Sequence, residues 1–419
     1  MLTAISRYGA RVLPETEDIV ADCKARGELI QGPQIAQFED AFARRAGSGH
    51  AVSASYGRMA FYYILKALDL PPGSEIVLPT LTFWVVPALA QVAGLKVVFA
   101  DVDPATFTMD PASLERAITP ATRAVVPTHL YGLPCDIEAI GRIAERQGLR
   151  VIEDCAHALG ATFDDRPVGT LGDASFFSFQ TLKPLNCYGG GLALIGNAQL
   201  ASRVRAIAER EAWPSEKRVI KRLLIGRLQR IFIKPWVFTI SSFPILWVSA
   251  LIGANPDVYL WENIRALHPL PEVYTERMPN VQAAIGLAAL DQLDEWTADT
   301  RRYARLMDDT FRDVPGITIP VVPPKCTHVY YQYCVYGPLR DELVVRCVRR
   351  GIDIETLHVD VCPDLDLFAG APVDPPGAPG AHRASEAMQV PVYSALTEAQ
   401  AERIANVIRG VLARSTRQL

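Results

Sequence analysis

An α/β layered domain with a mainly parallel sheet is the fold class that this chain predicts, and three observations predict it. Between residues 75 and 195, apolar β-rich runs alternate with helical stretches. The runs are continuously apolar instead of alternating with polar residues, the pattern of strands buried on both faces. Repeated strand–helix–strand units imply a parallel sheet covered by helices. In chain order, EIVLP (75–79) reads as a strand and the apolar stretch around Pro87–Ala93 as a helix. KVVFADVD (96–103) and RAVVPTHL (123–130) are the next strands, followed by a helix around Ile137–Arg146. LRVIED (149–154), ASFFSF (174–179) and GLALIG (191–196) complete the series.

In such sheets ligands bind beyond the carboxyl ends of the strands. Two strand ends carry the candidate chemistry. RVIEDCAHALGA (150–161) ends its strand in Glu153–Asp154, and ASFFSFQTLKPLNCYGGG (174–191) leads through Ser178 to Lys183 and a run of glycines. A carboxylate and an amine delivered in this way suit pyridoxal phosphate (PLP). The amine can join the aldehyde, and the carboxylate can keep the ring nitrogen protonated. Each residue also has an ordinary reading. Lysines near strand ends are commonly solvated, and Asp commonly caps a strand end or a helix. A single His such as His157 is often a structural hydrogen-bonder, and Phe83 suits core packing.

Taken together, these segments resemble the DegT/DnrJ/StrS family of sugar aminotransferases, which are fold-type-I PLP enzymes. The resemblance runs from about Gly32 to the C-terminus with one large interruption. It is carried by GPQIAQFEDAFARRAG (32–47), LPTLTFWVVPALAQVAGLKVVFADVDPATFTMDP (78–111), TRAVVPTHLYGLPCDIEAI (122–140), the EDCAHALGA segment and QAAIGLAALDQLDEW (282–296). Near the end, GIDIE (351–355), His358 and VPVYSALTEAQAERI (390–404) resemble the small domain. The resemblance implies a large domain with a mainly parallel, seven-stranded-type sheet and a small α+β C-terminal domain. It also implies that Lys183 holds PLP and then moves the substrate proton, while Asp154 pairs with the ring nitrogen. His157 would lie near the phenolic oxygen, Phe83 would stack on the ring and Ser178 would bind the phosphate. A homodimer follows from the family's shared active sites.

Departures from the family pattern cluster around the phosphate. The usual Ser-Gly-Thr loop is here Tyr56-Gly57-Arg58. Gly57 still permits close backbone approach, and the helix that follows can offer its N-terminus to an anion. Arg58 could grip phosphate bidentately or point outward. The family's Asn-x-Arg, whose Asn reaches the partner subunit's phosphate, is here Thr275-Glu276-Arg277. The Ser-x-His before the lysine has become Ser178-Phe179-Gln180, and the glycine motif after it is Tyr188-Gly189-Gly190-Gly191. The cofactor cup and substrate floor are rebuilt around a retained Lys183 and Asp154.

Between Lys183 and Arg277 the chain is longer than the family needs, which points to an insert at 215–268. The expected division is a large PLP-binding domain (1–214), this insert, and a connecting helix with the small domain (269–419). Lys217, Arg218, Lys221, Arg222, Arg227, Arg230 and Lys234 alternate with Leu and Ile at near-helical spacing, and 235–255 carries no charged side chain. A run of that length can span a bilayer, but one span would separate Lys183 from Arg277. Pro235 and Pro244 favour a bent, re-entrant arrangement. A basic amphipathic stretch beside Trp236, Phe238, Phe243 and Trp247 suits an anionic membrane surface. The alternatives are an apolar oligomer interface or a lid over the small domain.

The composition fits an enzyme of two subdomains. The 419 residues can bury a sizeable core. A formal net charge of −4 gives no bias toward nucleic acid. The N-terminal stretch lacks a signal-peptide core, and the eight cysteines show no metal spacing, so reduced thiols in a cytoplasm are expected. Cys155 and Cys187 flank the proposed site. The segment 363–385, rich in Pro, Gly and Ala, reads as an irregular loop. The expected activity is transamination from a donor, glutamate by resemblance, to a keto-sugar-like acceptor that is nucleotide- or lipid-linked. Its expected place is the cytoplasm, with peripheral contact at the inner face of the membrane through 217–255. Two rivals stand beside it. One is a non-catalytic regulator or sensor, favoured by the altered phosphate loop. The other is a PLP enzyme of another reaction type such as a dehydratase, against which Lys183 argues.

Overall fold

The computed structural model describes residues 3–9, 11, 13–47, 49–252, 264–337, 340–356 and 359–415. His358 and the stretch 253–263 of the expected insert lie outside them. The strands that matter here are β1 (His50–Ala54), β2 (Glu75–Pro79), β3 (Lys96–Ala100), β4 (Thr122–Val125), β5 (Arg150–Asp154), β6 (Ala174–Ser178) and β7 (Gly191–Ile195). They are followed by β8 (Tyr333–Val335), β9 (Glu355–Thr356), β10 (Val373–Asp374) and β11 (Met388–Val390). The main sheet runs β1-β7-β6-β5-β4-β2-β3-β10. The pairs from β6 to β10 are parallel, whereas β7 runs antiparallel to both β6 and β1. This is the mainly parallel α/β sheet that the strand–helix alternation predicts.

The continuous apolar runs are explained by burial on both faces. Ile76, Leu78, Val97 and Phe99 pack under the helices Gly57–Leu68 and Val85–Val92. Their neighbours Val77, Val98, Val125 and Val151 pack with Ile140 and Ile143 of the helix Ile137–Gln147. Asp136 starts that helix by accepting from Ala139 N at 3.0 Å, and Gly148 ends it in the left-handed region. The expected strand 123–130 stops earlier. Past Val125, Asp154 N still donates to Pro127 O and His129 N to Asp154 O, but the chain then coils into a short turn at Leu130–Gly132.

A second core lies in the C-terminal part. Antiparallel β8-β11-β9 packs against the helices Leu293–Phe311 and Glu398–Ser415, burying Met307, Phe311, Tyr333, Met388 and Ile404. Ile5 from the N-terminal arm joins this core, and its backbone bridges Ile352. The segment 363–385 is more ordered than its composition predicts. It carries two short 3-10 turns, the edge strand β10 and the helix Pro379–Ala384. Phe368 packs edge-on against Phe99 at 5.6 Å, and the buried Asp101 carboxylate accepts from Gly380 N and Ala381 N. Two distant anchors therefore organise a stretch whose local sequence reads as loop.

The described part of the expected insert contains the helices Glu216–Phe232, Pro235–Ile240 and Phe243–Ile252. Ser215 caps the first and Pro235 opens the second. Among the described residues no helix is long and apolar enough to cross a membrane.

Candidate active site

The carboxyl ends of β5 and β6 and the N-terminus of the helix Gly57–Leu68 enclose a cavity of about 230 Å³. Asp154, His157, Ser178, Lys183, Phe83, Gly57 and Arg58 all line it, so seven of the nine residues singled out from sequence share one space. Tyr56 and Thr275 do not line it. Tyr56 stands beside it, accepting from Arg222 at 2.7 Å. Thr275 lies outside, with its hydroxyl donating to Glu272 O at 3.2 Å.

Asp154 ends β5 opposite Phe176 of β6. Its residue is almost wholly buried, and one carboxylate oxygen accepts from Ala156 N at 3.0 Å. Burial pushes its pKa up to about 6, and the hydrogen bond from Ala156 and the Lys183 charge oppose the rise. The preceding Glu153 is committed elsewhere. Its oxygens accept from Gly169, Leu171 and Gly172 N at 2.7–2.8 Å, and one also meets His129 Nε2 at 2.9 Å. Cys135 N donates to His129 Nδ1 at 3.1 Å, which leaves Nε2 as the donor to Glu153. His129, Glu153 and Cys155 lie close enough to share a metal. The carboxylate is saturated by these bonds, however, and burial pushes the Cys155 thiol up to about 12.

Lys183 sits in the loop after β6. Lys183 N closes a turn on Gln180 O, and Phe179 O accepts from both Cys187 N and Gly189 N. Arg11, from the N-terminal arm, donates to Pro184 O at 3.0 Å. Burial lowers the amine's pKa to about 7; Asp154 works against that shift and Arg58 adds to it. The amine nitrogen lies 4.9 Å from the centre of the Tyr331 ring, and His157 stacks on that ring at a centroid distance of 4.2 Å.

The Tyr56-Gly57-Arg58 loop is held by close backbone contact. A Cβ on Gly57 would stand 2.6 Å from Phe177 O, and one on Gly191 would stand 2.1 Å from Gly57 N. Only glycine fits at either position. Arg58 does not point outward. Its guanidinium lies 5.0–5.4 Å from the rings of Tyr56, Phe83 and Tyr274 and donates to the Tyr274 hydroxyl. Phe83 thus contacts Arg58 at the edge of the cavity. Of the Thr275-Glu276-Arg277 triplet, Glu276 is buried against Arg218, and Arg277 covers the Trp213 ring at 4.0 Å.

Several lining residues escaped sequence reasoning. Tyr8 and Glu355 lie in the same cavity and hydrogen-bond to each other, while Arg7 pairs with Asp353 at 2.7 Å. The tyrosine-rich run 330–333 offered a signal without a direction. Tyr330 and Tyr333 enter the C-terminal core, and only Tyr331 meets the lysine. Cys155 and Cys187, read as flanking the site, are both buried with raised pKa values. All eight cysteines are free.

The model of the DegT/DnrJ/EryC1/StrS aminotransferase family matches residues 13–228 and 261–409. The chain belongs to this family. The unmatched residues 229–260 fall within the expected insert. Over 429 residues the chain is 30% identical to GDP-perosamine synthase of Caulobacter vibrioides, covering 98% of this chain and 99% of that protein. It is 29% identical over 414 residues to the Pleiotropic regulatory protein of Geobacillus stearothermophilus, covering 96% of each. The crystal structure of S. venezuelae DesV in complex with ketimine intermediate superposes with a TM-score of 0.75 at 26% identity, covering 95% of this chain and 94% of that one. The family member described here is a fold-type-I PLP-dependent aminotransferase. Its own residues fit the cofactor. The cavity offers a buried carboxylate, an amine of lowered pKa, and a glycine-lined helix N-terminus where an anion can approach backbone N–H groups.

Proposed function

We propose that this chain transfers an amino group from glutamate to a keto-sugar, with Lys183 and Asp154 as its catalytic pair. The observation that carries this reading is their shared cavity, where burial holds the amine near neutral. Sugar-specific relatives such as GDP-perosamine synthase support the acceptor class. PLP, when bound, supplies an aldehyde that accepts amines and a ring that withdraws electrons from the reacting carbon. Asp154 keeps a positive charge on the ring nitrogen. Lys183 would hold the cofactor through its neutral amine and would carry the proton at the substrate's reacting carbon. Ser178, Gly57 and Arg58 hold the phosphate, with Tyr56 behind Arg58. Phe83 would cover the cofactor ring, and His157, braced on Tyr331, would hydrogen-bond its phenolic oxygen.

The working unit in this reading is a homodimer, with Thr275 facing the partner's phosphate. It is divided into a large domain (1–214), an insert (215–268) and a C-terminal unit (269–419). The insert rests on the inner face of the cytoplasmic membrane, supported by its basic first helix and exposed Trp236 and Trp247. Deleting 219–266 and comparing membrane and soluble fractions tests this attachment. An unchanged distribution into the soluble fraction ends it.

The central test loads the protein with PLP and adds glutamate. The visible band is expected to fall with glutamate alone and to return when a keto-sugar is supplied. Borohydride reduction followed by peptide mapping is expected to place the cofactor on Lys183. A protein that stays colourless with PLP supplied would favour a second reading, a non-catalytic regulator, for which the likeness to the Pleiotropic regulatory protein and the replaced Tyr56-Gly57-Arg58 loop speak.

A further inference from the structure

Beside the catalytic cavity lies a second and larger one, of about 970 Å³. Tyr8, Gln180 and Lys183 line both, so the two spaces meet at the reactive amine. The far wall is built by the three helices of the expected insert and is strongly apolar, with Ile225, Phe232, Phe238, Ile245 and Leu246 facing the space. The first helix is seated firmly. A Cβ on Gly226 would stand 2.1 Å from the Tyr188 ring, and Arg230 donates to the Tyr188 hydroxyl at 2.5 Å. Among the described residues, one cation lines the cavity from this wall. Arg222 donates to Tyr56 Oη and lies 5.0 Å over the Tyr56 ring, next to Gly189. Outside the cavity the same helices expose Leu228, Trp236, Ile240 (70%) and Ile252 (74%), with Lys217, Lys221 and Lys234 also at the surface.

Ile225, Phe232 and Ile245 offer a nucleotide's ribose hydroxyls and base edges no hydrogen-bond partner, and the polar side chains lining this wall are Arg222, Gln229 and Ser242. A hydrocarbon chain gains from the same wall. A phosphate between the sugar and such a chain would meet Arg222. From this juxtaposition we infer that the acceptor is a keto-sugar joined through phosphate to a long hydrocarbon chain. The sugar reaches Lys183, the phosphate meets Arg222, and the chain lies along the insert helices. The exposed apolar surface beyond is where such a chain enters from a lipid phase. This inference rests on the aminotransferase reading and specifies its substrate class.

Calorimetric titration of the full-length PLP-loaded protein with farnesyl phosphate, farnesol and inorganic phosphate tests it. Farnesyl phosphate is expected to bind at least about tenfold more tightly than either fragment. Ile225→Glu and Ile245→Glu, at positions 46% and 66% exposed, are expected to weaken it about tenfold, with circular dichroism reporting that the fold is kept. Arg222→Gln is expected to bring farnesyl phosphate down to the affinity of farnesol. Equal affinity for farnesyl phosphate and inorganic phosphate overturns the inference, as does unchanged binding in all three variants. It is also overturned if the two glutamate variants dissociate the protein in sedimentation while farnesyl phosphate binds as before, because the apolar wall would then serve a second copy of the chain. Loss of the visible band with glutamate is read separately. A normal band response without farnesyl phosphate binding sinks this inference alone. Binding without any response to glutamate sinks the aminotransferase reading, and the acceptor assignment with it.

Discussion

Lys183 and Asp154 line one cavity, and each offsets what burial does to the other. Burial favours the neutral form of both, bringing the amine down to about 7 and the carboxyl up to about 6, while their opposite charges pull back toward ionisation. The pair is therefore poised within the range where a small electrostatic change decides protonation. An unpaired lysine at the surface would stay charged throughout that range.

The first prediction concerns pH. Capture of PLP by the cofactor-free protein needs a neutral Lys183 amine, so its rate should rise with pH to a midpoint near 7. Asp154→Asn removes the opposing negative charge and should move the midpoint down. Arg58→Gln removes a cation that favours the neutral amine and should move it up. The remaining charged neighbour in the cavity, Glu355, is unchanged in both variants. Folding linkage has a matching sign. Between about 7 and the ordinary 10.5 the unfolded chain holds the proton more tightly, so the Lys183 contribution to stability improves as pH rises through that window. Stopped-flow absorbance across pH measures the midpoints, and a common midpoint near 10 for all three proteins would refute the coupling.

Arg58 supplies the second prediction. Its guanidinium is held among Tyr56, Phe83 and Tyr274 at the start of the helix Gly57–Leu68. Arg58→Ala should weaken PLP binding by about tenfold or more, the size of a charge-assisted phosphate contact. Arg58→Lys keeps the charge and loses the planar stacking, so it should recover only part of that loss. Titration of the cofactor-free proteins with PLP reads both. Unchanged affinity in Arg58→Ala would mean that the cation only organises the three rings.

A third prediction tests the backbone cradle. A Cβ at Gly57 or Gly191 meets main-chain atoms, which cannot rotate away as a side chain can. Gly57→Ala and Gly191→Ala should each lower stability by roughly 1–3 kcal/mol and weaken PLP binding, because the helix N-terminus must retreat from β6 in the first variant and from β7 in the second. Denaturant unfolding and PLP titration measure the two effects. Wild-type stability in both variants would show that the contact is loose.

Much of this architecture was legible because it depends on local signals. Continuous apolar runs announced the parallel sheet. Asp154 and Ser178 could be placed at strand ends, and Lys183 just beyond one, from the pattern of apolar runs. What escaped was set by contacts far apart in sequence. Tyr8 meets Glu355 only because the N-terminal arm packs into the C-terminal core. Tyr331 differs from its neighbouring tyrosines in direction, which composition does not encode. The segment 363–385 is ordered by Phe99 and Asp101, both in the large sheet region. Tyr56 was read as part of the phosphate loop from its place in the sequence. Its hydroxyl meets Arg222, a contact its place in the sequence did not announce, on a helix that the family pattern matches only to residue 228.

The last prediction addresses the residue beside Asp154. Glu153 is fully buried, and its two oxygens take three backbone N–H groups and His129. Despite the opposing effect of burial, which is the largest single influence, these bonds hold its pKa below the ordinary carboxylate value. Glu153→Gln keeps the shape but turns one acceptor into a donor, which then faces a backbone N–H. A loss of roughly 3 kcal/mol is expected. Because the folded pKa is depressed, the wild-type advantage should be full above the ordinary value of 4.5 and shrink as pH falls below it. His129, the partner of Glu153, donates its backbone N–H to Asp154 O, so a loosened clamp should also shift the pH midpoint of PLP capture at Lys183. Urea unfolding at pH 7 and pH 4 reads the stability term. A Glu153→Gln protein that unfolds like wild type at pH 7 would show that the clamp contributes nothing to the fold, and an unshifted midpoint would show that it leaves Asp154 where it was.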